Sequence, residues 1–212
     1  MLFVTGCARS GTSLIAKLLQ AHGANLGQPN RVNVLYENVG IRQNVLKPYL
    51  SSIGADPIGQ SIPLPDTSRL PKLEHLREKV LNYIEGNEPR AYKDAKLCHV
   101  FPLFAAAFPE AKWIIVRRDK ECIVDSCLRE RTSEGFGRFM KRSSDPAYWR
   151  KWVEAHEARF GDMLKALPNI VQVWPDVIIK DPSAFAALAA FCGLDFNLKT
   201  TEAAIIRKLW NG

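Results

Sequence analysis

The chain has 212 residues, 29 Lys and Arg against 22 Asp and Glu for a net charge of +7, and 47% hydrophobic residues. Such a composition excludes a collagen-like, low-complexity or disordered chain, and no apolar run approaches the roughly 18 residues that cross a bilayer. The length suits a single domain over 1–212 with a sizeable core, and the positive charge asks for an anionic partner without choosing among nucleic acid, a membrane surface and a phosphorylated ligand.

Residues 1–5 are a short apolar run ending at Gly6 and read as a strand, which leaves no room for a signal peptide. Leu14, Ile15, Leu18, Leu19 and His22 recur at helical spacing, so an amphipathic helix is expected over 12–22, ending near Gly23. Residues 24–35 are polar and loop-like. Ile41, Val45, Leu46, Tyr49 and Leu50 mark a second helix, kinked or divided by Pro48. A Pro- and Gly-containing connection over 54–69 leads to a helix marked by Leu73, Leu76, Val80, Leu81 and Ile84, and then to a short strand around 90–93. Trp113, Ile114, Ile115 and Val116 form a continuous apolar run, the pattern of a strand over 112–117 buried on both faces. A helix over 120–129 follows, then a Gly-, Ser- and Arg-rich mobile loop over 131–144. Trp149, Trp152, Val153, His156, Phe160, Met163, Leu164 and Leu167 define a long helix, 170–174 a further buried strand, and 183–192 a helix capped by Gly193. Alternating strands and helices imply a three-layer α/β fold of the P-loop type, its central, mostly parallel sheet flanked by helices.

The five cysteines (Cys7, Cys98, Cys122, Cys127, Cys192) are odd in number and lack a Cys-x-x-Cys pair. They read as small buried residues of a reducing, cytoplasmic protein rather than a disulfide framework. His22, His75, His99 and His156 do not stand at ligand spacing from them, so no metal site is expected.

Residues 6–13 read Gly-Cys-Ala-Arg-Ser-Gly-Thr-Ser. Gly-x4-Gly followed by hydroxyl residues is the frame of a phosphate-binding loop, in which backbone N–H groups and a helix N-terminus cradle an anion. The nucleoside triphosphate version has Lys after the second glycine; here Thr12 stands there, which argues against ordinary ATP or GTP chemistry. Arg9 supplies a fork able to bind two oxygens of a phosphate or sulfate; the plain alternative is a surface Arg on a tight turn. A second element follows the most buried strand: Arg118 at its carboxyl end and Ser126 about two turns into the next helix can converge on one anion at the edge where open α/β sheets bind ligands.

Together these motifs resemble those of the sulfotransferases that use 3′-phosphoadenosine 5′-phosphosulfate (PAPS). Their loop has Lys or Arg, then Ser-Gly-Thr and Ser or Thr, as at Arg9 to Ser13. Their second motif is Arg, then Asp or Asn, usually Pro, and Ser eight residues after the Arg; Arg118, Asp119 and Ser126 match, with Lys120 in place of Pro. Bacterial members carry a Lys-Asp-Pro-Arg-Leu-Cys-like segment and then Phe-Pro-Asp/Glu-Ala. Lys93 to Cys98, with Ala95 and Lys96 as departures, and Phe108 to Ala111 are similar. Tyr36-Glu37 matches an aromatic-Glu pair, and Ile178 to Leu194 matches a strand, Asp-Pro, helix and Gly-Leu.

The resemblance implies transfer of a sulfuryl group from PAPS, with release of the bisphosphate PAP, to a hydroxyl or amine acceptor without a metal. It implies that Ala8, Arg9, Ser10, Gly11, Thr12 and Ser13 hold the 5′-phosphosulfate and Arg118 and Ser126 the 3′-phosphate. Lys93 is the cation expected on the bridging oxygen. Three residues compete for the base: Glu37, which should begin a helix facing the loop, His99 and Asp94. A small-molecule, carbohydrate or lipid hydroxyl is the expected acceptor, with its pocket built from 24–35, 54–70 and 131–148. No nucleic acid partner is expected, since no readout motif accompanies the basic residues. The tryptophans stand at helical spacing and are expected in the core. The stretch 129–151, with seven basic residues against three acidic ones, is either a lid or a solvated loop. Two other readings remain open: a small-molecule kinase using ATP and Mg²⁺, and a nucleotide-binding module without catalysis.

Overall fold

The computed structural model describes residues 1–27, 35–132 and 140–205, without the side chains of 130–132. Four strands, β1 (Leu2–Gly6), β2 (Ala91–Lys93), β3 (Lys112–Val116) and β4 (Ile170–Val173), form a parallel sheet in the order β2-β1-β3-β4. Leu2 of β1 is in register with Ala91 on one side and Lys112 on the other. The chain runs from β1 to β2 and then back across β1 to β3. That reversal leaves a crevice at the carboxyl ends of β1 and β3, where such sheets take ligands.

The α-helical segments are, in chain order, α1 (Thr12–Ala21), α2 (Val39–Ile41), α3 (Lys47–Ser52), α4 (Leu76–Leu81), α5 (Phe101–Ala107), α6 (Lys120–Thr132), α7 (Pro146–Ala166), α8 (Pro175–Lys180), α9 (Phe185–Cys192) and α10 (Leu198–Ala204). Side-chain alternation along the strands splits the core in two. Phe3, Trp113 and Ile115 pack with residues of α3 to α7, whereas Leu2, Val4, Ile114 and Val116 pack with α1, α8, α9 and α10. Both faces are therefore apolar, which is why β3 carries no polar alternation. On the first face Phe3 meets Phe104 and Phe108 edge-on, centroids 5.4 and 5.3 Å apart, and lies 4.7 Å from Trp113. Such pairs add about 0.5–1.5 kcal/mol each beyond area burial. These contacts fix the height of β1 and hence of the loop that leaves it.

Several expected boundaries change. Pro48 does divide its helix: a π-turn over Arg42–Leu46 separates α2 from α3, with Lys47 N–H bonded to Arg42 O. Proline removes a donor and crowds the carbonyl four residues back, and the wider turn absorbs this. The helix expected from Leu73 contracts to Leu76–Leu81 because His75, with φ 57°, breaks it at the start. Pro102 and Pro175 open α5 and α8 in the first turn, where the missing N–H costs nothing, so segments that look broken in sequence are helical. Ile178 accordingly lies in α8, and the strand expected before Asp181-Pro182 is β4, further upstream. Gly193 closes α9 at φ 74°, as expected. All five cysteines are free thiols, four of them buried. Among the described residues no helix is long and apolar enough to cross a membrane.

Candidate active site

The loop after β1 is shaped by close approach. A Cβ on Gly6 would lie 2.5 Å from Val116 O and 2.7 Å from Ser10 Oγ, so only glycine lets the chain turn there. Arg9 and Gly11 both have positive φ, 73° and 96°, and Ser10 N–H bonds back to Cys7 O at 3.1 Å. Gly11 is the N-cap of α1 and has no side chain to close the helix, so the first N–H groups of α1 stay available to an anion. Ser10 Oγ is buried, and among the described residues it has no hydrogen-bond partner. A buried hydroxyl left over inside a ring of N–H donors fits the oxyanion of a phosphate group.

β2 and the segment before α2 bring the reacting candidates together. Lys93 Nζ donates to Glu37 Oε1 at 3.0 Å, to Leu35 O at 2.9 Å and to Ser13 Oγ at 3.4 Å, while Ser13 Oγ itself donates to Leu35 O at 3.2 Å. The structure thus joins the buried Lys93 and Glu37 to the half-buried loop residue Ser13 in one cluster. Arg42 Nη1, from the π-turn, stands 2.6 Å from Glu37 Oε2. That ion pair is not aligned as a hydrogen bond, and Oε2, buried, accepts none among the described residues. Glu37 is 7% exposed. Contrary to the expectation, it does not begin the helix; Asn38 is the N-cap, accepting from Ile41 N–H, and Glu37 precedes it. The carboxylate is therefore held by Lys93 and Arg42 side chains rather than by the helix terminus. Sequence reasoning missed Arg42, because its five-residue separation from Glu37 is no helical pairing distance and depends on the turn at Tyr36, whose φ is 54°.

The second motif docks on the loop. Arg118 Nη1 donates to Arg9 O at 3.1 Å, and Arg9 Nε donates to Ser126 Oγ at 3.0 Å. Burial, more than the neighbouring Arg9 and Arg129, lowers the Arg118 pKa, with Cys122 and Asp176 acting the other way. Lys120 does not disturb the turn: Asp119 caps α6 by accepting from Cys122 N–H at 3.0 Å. Ala8 and Thr12 complete the loop, half-buried and buried. The guanidinium of Arg117, beside Arg118, pairs with Glu157 of α7 and Gln172 of β4 and so ties the end of β3 to both neighbours.

Asp94 and His99 are placed elsewhere. Asp94 is fully buried and bound to Lys96, Oδ1 to Nζ 2.7 Å, with Tyr92 Oη donating to Oδ2 at 3.3 Å. Burial alone would raise its carboxyl, but the Lys96 ammonium and hydrogen bonds hold it below the usual range. His99 is 2% exposed and its Nε2 lies 3.1 Å from His156 Nε2. No hydrogen bond among the described residues joins it to Glu37, Lys93 or the loop. Contrary to the expectation from spacing, the fold gathers three ligand-type side chains here: atoms of Cys98, His99 and His156 lie within 4.8 Å of one another. They are arranged as neutral partners. His156 Nδ1 lies 2.8 Å from Trp152 O, which assigns the proton to Nδ1 and leaves Nε2 to accept from His99. The Cys98 thiol, pushed up to about 12 by burial, donates to Ala95 O at 3.2 Å. Arg159 Nη1 on Cys98 O at 3.2 Å adds a positive charge that opposes a cation.

The expectation that the tryptophans are core holds for Trp113, Trp149 and Trp152 and fails for Trp174, which is 45% exposed. Trp174 leaves the carboxyl end of β4 as the N-cap of α8, one strand from Arg118. Trp210 lies outside the described residues, as do 28–34 of the expected acceptor connection and 133–139 of the basic stretch. Within the rest of that stretch, Arg150 is paired with Glu121, Nη2 to Oε2 2.9 Å, and Asp145 caps α7.

A parallel sheet with a glycine loop at the end of β1 and an uncapped helix behind it defines a P-loop-type α/β protein. The chain belongs to the sulfotransferase family: the model of that family matches residues 2–197. Among solved structures, it is similar to the sulfotransferase domain from the curacin biosynthetic pathway, at 14% identity and TM-score 0.57, over 94% of this chain and 76% of that one. It is also similar to the sulfotransferase STF1 from Mycobacterium tuberculosis H37Rv, at 17% identity and TM-score 0.52, over 98% of this chain and 70% of that one. No curated protein sequence matches it.

Proposed function

We propose that this protein moves a sulfuryl group from PAPS to a hydroxyl acceptor. The observation that carries the reading is the junction of a Lys-less phosphate loop with a buried Lys93–Glu37 pair, Lys93 reaching the loop through Ser13. The donor supplies an activated sulfuryl group and a phosphate leaving group. The N–H groups at the start of α1, Ser10, Thr12 and Ser13 would hold its 5′-phosphosulfate. Arg118 and Ser126 would hold its 3′-phosphate. Trp174, an exposed ring on the same edge of the sheet, would carry the adenine by stacking.

In the reaction the acceptor oxygen forms a bond to sulfur as the sulfur–bridging oxygen bond breaks, and PAP departs. Glu37 takes the acceptor proton on Oε2, the oxygen that accepts no aligned hydrogen bond. Lys93 turns from Glu37 to neutralise charge on the bridging oxygen. Arg42 keeps the carboxylate in place meanwhile. Side-chain cations and N–H groups thus supply the charge that a kinase draws from Mg²⁺, and no metal is required in this reading.

The test is incubation with sulfur-labelled PAPS and pools of alcohols, sugars and amines. Label should pass to an acceptor, and Glu37→Gln should abolish that transfer. Equal transfer by Glu37→Gln would remove Glu37 from the chemistry. Passage of γ-phosphate from ATP·Mg²⁺, with none of sulfate from PAPS, would favour the kinase reading.

A further inference from the structure

Around Glu37 the described residues hold one cation more than the carboxylates there account for. Glu37 Oε2, the oxygen assigned above to the acceptor proton, stands 2.6 Å from Arg42 Nη1. Arg42 Nε is buried and has no hydrogen-bond partner among the described residues. Lys47 follows five positions on. Five residues overshoot one turn of a regular helix, but the π-turn closes on this pair, with Lys47 N–H bonded to Arg42 O, and sets them one turn apart. Such turns recur at functional sites. Lys47 is half-buried, and no hydrogen bond or ion pair joins it to a described residue.

Burial, and then the like charges of Arg42 and Lys96, lower the Lys47 pKa, while Asp94 and Glu37 act the other way. Those two carboxylates are already matched. Asp94 holds Lys96 at 2.7 Å, and Glu37 holds Lys93 and Arg42. Asp56, in the segment whose Gly59 lies against Lys96, accepts from Ile58 N–H, Gln60 N–H and Ser61 Oγ within its own turn. The donor would draw on Lys93, which leaves Lys47 without a counter-charge. A half-buried ammonium near two other cations costs free energy that an anion offsets.

We propose that Lys47, with Arg42 beside it, binds an anionic group of the acceptor, so that the acceptor is a hydroxy acid or a phosphorylated alcohol rather than a neutral alcohol. The proposal rests on the sulfuryl-transfer reading above and names its acceptor class. The hydroxyl meets Glu37 Oε2, and the carboxylate or phosphate of the same molecule meets the π-turn. A neutral alcohol leaves Lys47 uncompensated, which discriminates against it.

The first arm of the experiment is thermal unfolding of PAP-saturated wild type, Lys47→Met and Lys47→Arg, titrated with inorganic phosphate at constant ionic strength. Saturating PAP keeps phosphate out of the loop. Lys47→Met should weaken phosphate about 10-fold, the cost of losing a hydrogen bond to a charged group. Lys47→Arg keeps the charge and should retain most of the response. The second arm needs no variant: wild type receives labelled PAPS with hydroxy acids, phosphorylated alcohols and the matching neutral amides and diols. Label should pass to an anionic series in preference to its neutral counterpart, and the series that takes it names the anion. Equal phosphate binding by wild type and Lys47→Met would overturn the proposal, as would label passing as readily to the neutral members. Either result leaves PAP binding and sulfuryl transfer standing. Where no member takes label, the phosphate titration decides. No stabilisation by PAP in any of the three proteins would overturn the donor reading, and this proposal with it.

Discussion

Lys93 and Glu37, 56 residues apart in the chain, meet as a buried ion pair of 3.0 Å between Nζ and Oε1. Each offsets the charge of the other, and each has a separate task in the proposed reaction. Their pairing holds both side chains beside the phosphate loop without leaving a buried charge uncompensated. Arg42 makes the arrangement a triad, so that Glu37 would retain a cation if Lys93 turned to the donor as proposed.

The first prediction concerns the base. Glu37→Gln should leave PAP affinity within about three-fold of wild type and lower kcat by about 10²- to 10⁴-fold, the range for a positioned proton acceptor. Steady-state kinetics with a working acceptor, beside calorimetry, measures both. Undiminished kcat would move the base to another residue.

Lys93→Met separates chemistry from folding. An orphaned buried charge costs about 3–5 kcal/mol, but Arg42 remains on Glu37, so the loss in unfolding free energy should fall below that range. The fall in kcat should exceed any rise in KM if Lys93 acts on the leaving group as proposed. Denaturant unfolding and initial rates check the two halves. A destabilisation with normal kcat would make Lys93 purely structural.

The histidine pair predicts a pH dependence of stability. Burial, with smaller contributions from His156, Lys96 and Arg159, pushes His99 well below its ordinary value, and burial takes His156 down to about 4. The unfolded chain, with histidines near 6.5, then binds more protons than the folded one below neutrality. The contribution is complete above pH 6.5 and is lost as pH falls towards 4, at up to about 1.4 kcal/mol per pH unit for each histidine. Melting curves between pH 7 and 4.5 should show a steeper decline for wild type than for His156→Gln. Identical slopes would contradict the buried neutral pair.

Trp174→Ala should weaken PAP about 5- to 100-fold through loss of base stacking, worth about 1–3 kcal/mol. It should leave the unfolding midpoint nearly unchanged, since the ring is largely in solvent. Unaltered PAP affinity, read by calorimetry, would remove Trp174 from the donor site.

The sheet and the loop were legible because their signals are local. The apolar run Trp113–Val116 and the glycine frame Gly6–Gly11 each determine a short stretch of backbone, and the structure places them as expected. The stretch that carries Arg118, just after β3, and Ser126, in α6, was legible as local sequence, and in the structure both residues meet Arg9. The partnership of Arg42 with Glu37 was not, since it needs both the left-handed turn at Tyr36 and the π-turn before Pro48. Nor was the contact of Arg9 with Ser126, which depends on the sheet order bringing β3 beside β1. The Cys98–His99–His156 cluster is non-local in the same way: α7 and the turn after β2 meet only once the first core face is packed. Exposure of Trp174 follows from α8 starting at Pro175, where the sequence shows only a strand end.

In the proposed reaction the loop and Arg118 bind a 3′-phosphorylated nucleotide. Thermal unfolding with adenosine 3′,5′-bisphosphate and, separately, with ATP·Mg²⁺ tests it most directly. The bisphosphate should raise the melting temperature, by several degrees at about 100 times its Kd where the linkage energy is about 2.7 kcal/mol, and ATP·Mg²⁺ should raise it much less. Greater stabilisation by ATP·Mg²⁺ would contradict a PAPS donor and return the loop to kinase chemistry.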